Sequence, residues 1–69
     1  MTFELYQYNP RRKARGVEAA RVKVVDDDGE EHLLWMTPMD IQANLKEFGE
    51  SKGLRDALEA YRINQPINR

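Results

Sequence analysis

The segment VKVVDDDGEEHLLW, Val22 to Trp35, constrains the architecture of this chain more than any other. Alternating, β-branched residues flank a cluster of turn formers, the pattern of a β-hairpin. Asp favours the first positions of such a turn, and Gly29 supplies the positive φ of a bulged loop. With Asp27, Asp28 and Gly29 in the loop, Asp26 pairs with Glu30 and the register of both strands follows. One sheet face then carries Val24 opposite His32, Val22 opposite Leu34 and Ala20 opposite Met36. The other carries Val25 opposite Glu31, Lys23 opposite Leu33 and Arg21 opposite Trp35. The first face is aliphatic and is expected to meet the rest of the core, with His32 packed in it. The second is aromatic and basic, and Arg21 against Trp35 is placed for a cation–π contact.

The helices are written just as clearly. Thr37 stands at an N-cap, Pro38 at the first helical position, and Asp40 at the capping-box position. Met36 and Ile41 form a hydrophobic staple. Ile41, Leu45 and Phe48 make one stripe, and Gly49 ends the helix. Ser51 caps a second helix with the stripe Leu54, Ala57, Leu58 and Tyr61. Upstream, TFELYQY reads as a strand with Phe3 and Leu5 on the aliphatic face and Glu4, Tyr6 and Tyr8 on the open one. NPRRKARG reads as a loop, with Asn9 placed to cap a short helical turn ahead of Pro10.

The expected fold is α+β: a small three-stranded antiparallel sheet in the order β-β-β-α-α, with two C-terminal helices on one face. Strands are expected at 2–8, 18–26 and 30–36, helices at 38–48 and 52–62, and a tail at 63–69. The chain has 69 residues, the length of one small domain. There is no cysteine, so no disulfide or thiolate site is available. No signal-like or membrane-spanning stretch is evident, and a cytoplasmic location is expected, in the host cell if the gene is viral. Small domains without staples often gain stability by oligomerising, so a homodimer is one expectation.

Catalysis requires a nucleophile, a base and a group to orient them. Thr37 and Ser51 are assigned to helix caps, and His32 is the only histidine. No catalytic, cofactor-binding or metal-binding residue is therefore assigned. A calcium loop counted back from Gly29 would place Val24 at its first position and Trp35 at its last, which fails at both ends. A loose cation site at Asp26, Asp28 and Glu30 competes with the simpler reading of a solvated acidic turn.

The net charge of −1 hides a segregation. Arg11, Arg12, Lys13, Arg15, Arg21 and Lys23 precede the acids Asp26, Asp27, Asp28, Glu30 and Glu31. Two function classes follow. The first is a non-enzymatic protein-binding module that inhibits or modulates another protein. It would act through the acidic patch of those five residues, extended by Glu47 and Glu50, as a mimic of nucleic-acid phosphate. Alternatively it would act through the face of Tyr6, Tyr8, Arg21, Lys23, Leu33 and Trp35, which also suits a dimer. The second is single-stranded nucleic-acid binding, with Arg11, Arg12, Lys13 and Arg15 on phosphates and Tyr6, Tyr8 and Trp35 stacking on bases. The negative net charge and the acidic turn weigh against it.

WMTPMDIQANLKEFGESKGLRDALEAY, Trp35 to Tyr61, resembles a pattern in short phage and prophage proteins. VVDDDGEEH also looks like the acidic hairpin of phage-type uracil-DNA glycosylase inhibitors, although the helix order differs. The resemblance implies a mobile-element origin and a host protein as the target.

Overall fold

A computed structural model describes residues 1–68. The elements are β1 (Thr2–Ala14), β2 (Val17–Val25), β3 (Glu31–Met36), α1 (Pro38–Phe48), α2 (Lys52–Ile63) and β4 (Ile67–Asn68). The fold is α+β, with a four-stranded sheet in the order β3-β2-β1-β4. Every observed pairing is antiparallel.

The β2–β3 hairpin has the register its loop dictates: Ala20↔Met36, Arg21↔Trp35, Val22↔Leu34, Lys23↔Leu33, Val24↔His32 and Val25↔Glu31. Asp26 N–H donates to the Glu30 carbonyl and Gly29 N–H to the Asp26 carbonyl, both at 3.0 Å. The Asp26 carboxylate closes the turn by accepting from the amides of Asp28 and Glu30. These backbone bonds hold its pKa below the usual carboxylate range.

The first strand departs from expectation. β1 runs on through the expected loop to Ala14 and turns at Arg15 and Gly16. Both turn residues have positive φ, 51° and 78°, as a tight two-residue hairpin loop demands. Two irregularities interrupt its pairing with β2. Leu5 pairs with Val22 but Gln7 with Arg21, so Tyr6 is an extra residue. This bulge reverses the alternation, and Tyr8 arrives on the helix side, where it is fully buried. Further on, Tyr8 pairs with Ala20 and Lys13 with Glu18, leaving Asn9 to Arg12 opposite Ala19 alone. Pro10, which has no amide proton to give a ladder, sits inside this larger bulge. Asn9 Oδ1 accepts from Arg11 N–H across it, in place of the expected helical turn.

Both helices lie on one side of the sheet: α2 packs on β1 and, less extensively, on β2, and α1 packs beside α2. The core joins Leu5, Tyr8, Ala20, Val22, Val24 and Met36 of the sheet to Ile41, Leu54, Ala57 and Ala60 of the helices. α1 begins with a complete capping box between Thr37 and Asp40. The amide bonds from Thr37, helped by the Arg15 guanidinium, hold Asp40 below the usual carboxylate range. Ser51 caps α2, which ends at Asn64 in a left-handed conformation. After α2 the chain returns as β4, pairing Ile67 with Tyr8 and Asn68 with Gln7. The expected tail is therefore a fourth strand across 67–68, and Arg69 lies outside the described residues.

His32 is not in the core. The helices cover only the Met36 end of β3, so its other helix-side residues stay open: the His32 side chain is 48% exposed and Leu34 is 46% exposed. Among the described residues, no helix is long and apolar enough to cross a membrane.

Candidate functional site

The face away from the helices gathers five of its six expected residues. Glu4 pairs with Lys23, Lys23 with Leu33 and Arg21 with Trp35, so this surface runs across three strands. Tyr6, thrown outward by its bulge, joins Lys23, Glu31 and Leu33 around a shallow depression. Tyr6 and Leu33 are exposed. Lys23 Nζ reaches Glu31 at 3.0 Å, and that bond raises the lysine pKa. Arg21 lies over the Trp35 ring with its guanidinium carbon 5.5 Å from the centroid. Its Nε is buried without a hydrogen-bond partner. The ring face is therefore a principal interaction of this cation, and it holds Trp35 half-buried.

Tyr8 does not belong to that face. Its hydroxyl donates towards Asn64 Oδ1 at 3.1 Å or Glu18 Oε2 at 3.3 Å. Its ring packs edge-on against Tyr61 at 5.2 Å. Burial, followed by the Glu18 charge, raises its pKa.

Of the five acids of the turn, two are paired with cations of the chain. Asp26 is committed to the turn and lies 3.3 Å from His32 Nε2. Asp27 pairs with the N-terminal ammonium at 2.8 Å, and Glu31 with Lys23. Glu30 comes within 3.9 Å of His32. Of the proposed extension, Glu50 is bound by Arg55. Asp26, Glu30 and His32 also bring their ligand atoms within 4.8 Å of one another. The trio replaces Asp26, Asp28 and Glu30 as the set with metal-like spacing, but solvated acidic groups adopt such spacing without an ion.

The basic segment is less neutralised. Arg11 and Arg12 on the second bulge, and Lys13 where pairing resumes opposite Glu18, are exposed, and none forms an ion pair among the described residues. Arg15 differs: its guanidinium is bonded to Asp40 at 2.5 Å, tying the hairpin tip to the start of α1.

Three structural residues carry more than sequence spacing indicated. The Tyr61 hydroxyl accepts from Ala20 N–H at 2.7 Å and donates to the Met36 carbonyl at 2.5 Å. It thus bridges the last pair of the β2–β3 ladder. Desolvation raises its pKa to about 12. Gly53 meets the backbone of β1 directly, and Leu34 is an aliphatic residue left in solvent. Only Tyr61 had a sequence signal, its place in the α2 stripe. Comparison with protein-family models, with curated proteins and with solved structures gives no match.

Proposed function

We propose that the chain is a non-enzymatic binding module that docks another protein on its open sheet face, and by docking inhibits or modulates that protein. The observation that carries this reading is the exposed pair Tyr6 and Leu33, which line one depression together with Lys23 and Glu31. An exposed tyrosine is the kind of side chain that anchors a protein interface, and the charged pair beside it suits an interface rim. The hydroxyls of Thr37 and Ser51 accept bonds from helix amides, which supports a structural use of both. The acidic turn contributes less to this reading than the face does, because Asp26, Asp27 and Glu31 already have partners in the chain.

Affinity capture with the intact protein and with Tyr6→Ala tests it. A partner retained by an Asp27→Asn, Asp28→Asn variant and lost with Tyr6→Ala supports the face. The opposite pattern transfers the function to the turn.

A second reading has one observation in its favour: the unpaired cluster Arg11, Arg12 and Lys13 suits a phosphate backbone. Trp35 fluorescence reports it. Quenching by a short single-stranded oligonucleotide at low salt, relieved by salt, would support nucleic-acid binding; an unchanged signal would refute it.

A further inference from the structure

β3 is an edge strand, with β2 on one side and no strand on the other among the described residues. Exposed edges are ordinarily blunted by proline, lysine, a bulge or a covering loop. β3, with the sequence EHLLWM, has no proline and no lysine, and its register with β2 is unbroken. It exposes a leucine on each face, Leu33 at 41% and Leu34 at 46%.

The hydrogen-bonding phase of this edge can be worked out. Asp26 and Glu30 form the bonded pair that closes the hairpin. Bonded and non-bonded pairs alternate along an antiparallel ladder. Val24–His32 and Val22–Leu34 are thus bonded pairs, and the amides and carbonyls of Glu31, Leu33 and Trp35 point outward.

We infer that this edge pairs with β3 of a second copy of the chain, antiparallel about a two-fold axis at Leu34. Self-complementarity selects that occupant and that register. Side-chain faces are preserved only when the axis passes through a residue. An axis at Leu33 sets Glu31 opposite the partner's Trp35 and leaves Leu34 opposite the partner's His32. An axis at Leu34 sets Leu34 against the partner's Leu34, Leu33 against the partner's Trp35, and His32 against the partner's Met36. Glu31 then falls beyond the paired strand, opposite the partner's Thr37. Apolar groups meet on both faces, no like charges are opposed, and Leu33 and Trp35 exchange outward backbone bonds with their mates. The two sheets become one, and the two open faces one continuous surface.

This inference goes beyond the docking face and is separable from it, because Leu34 is on the helix side and Tyr6 belongs to β1, two strands in from the edge. Light scattering on the purified chain is expected to give twice the monomer mass of 8.1 kDa. Leu34→Lys, which sets two ammonium groups against each other at the axis, is expected to return a folded monomer. Cysteine variants test the register even if that variant misfolds. At the axis the Cα atoms would be about 4.5 Å apart, inside the disulfide window. Two copies of residue 33 would be about 8 Å apart, outside it. Leu34→Cys should therefore cross-link under mild oxidant at least about tenfold faster than Leu33→Cys. A wild-type chain that stays monomeric at every concentration overturns the inference, and faster linkage of Leu33→Cys overturns its register. A monomeric wild type whose captured partner is lost with Leu34→Lys would assign the edge to another protein's strand and overturn it too.

Discussion

Replacing Gly53 with alanine should destabilise the protein, although the same change normally strengthens a helix. At an exposed helical site Gly→Ala gains up to about 1 kcal/mol. Here a Cβ would lie 1.9 Å from the Phe3 carbonyl oxygen, 2.4 Å from its carbon and 2.8 Å from Glu4 Cα. All three are backbone atoms of β1, which is paired with β2 and β4 and has little room to yield. Relieving the first contact to 3.0 Å requires α2 to move by about 1 Å. Leu54, Ala57 and Ala60, essentially inaccessible to solvent, would move with it. A gap of that size forfeits a quarter to a half of each dispersion contact. Overpacking of this kind costs about 1–3 kcal/mol, and a clash against fixed backbone belongs at the upper end. With the helix gain subtracted, the net loss is about 2 kcal/mol. For a domain of this size that lowers Tm by about 8–16 °C. Urea unfolding followed by Trp35 fluorescence and helical circular dichroism measures it. Ala43→Gly, on the exposed side of α1, supplies the size of the ordinary helix term. A Gly53→Ala protein with unchanged or raised stability would refute the close approach of α2 to β1.

Tyr61→Phe leaves the Ala20 amide and the Met36 carbonyl without their bridge and should cost about 1–3 kcal/mol in chemical denaturation. The raised Tyr61 pKa has its own signature. Stability from the neutral phenol is complete below the ordinary tyrosine value near 10 and is lost as pH rises towards about 12. An alkaline unfolding step over that window should be diminished in Tyr61→Phe. Asp40→Ala should cost about 1 kcal/mol at neutral pH by removing half of the capping box. Because the folded-state pKa of Asp40 is depressed, the gap to wild type should close as pH falls below about 4; a gap that persists in acid would show that the carboxylate charge is irrelevant there. Trp35→Ala should fold, because the ring is half-buried beneath Arg21 rather than in the core, and should lose partner binding or dimerisation more than stability.

The β2–β3 register and both helices were legible in the sequence because short-range chemistry determines them. Asp26 to Glu30 specify one loop, that loop fixes every cross-strand pair, and Thr37, Asp40, Gly49 and Ser51 mark helix ends within a residue. What was illegible depended on contacts between distant segments. The bulge at Tyr6 has no glycine or proline to announce it, yet it inverts the alternation and buries Tyr8. Ile67 and Asn68 form a strand only because β1 offers them a free edge. His32 lies on the helix side as its register requires, but α2 packs mainly on β1 and neither helix reaches the turn end of β3, so the residue remains in solvent.

The charge pattern shows the same distinction between local sequence and tertiary placement. Five acids between Asp26 and Glu31 suggest a strong negative pole when read along the chain. Folding carries Met1 to Asp27 and Lys23 to Glu31, so two of the five acids gain a cationic partner. Ion pairs this exposed add little stability, but each removes a charge from the field a partner would meet. The basic segment undergoes less cancellation: Asp40 takes Arg15, while Arg11 and Arg12 in the bulge opposite Ala19, and Lys13 where pairing resumes, stay clear of the acids at the other end of the sheet. The fold therefore presents an open face of aromatic, aliphatic and charged side chains, a partly paired acidic turn at one end of the sheet and the unpaired Arg11, Arg12 and Lys13 towards the other.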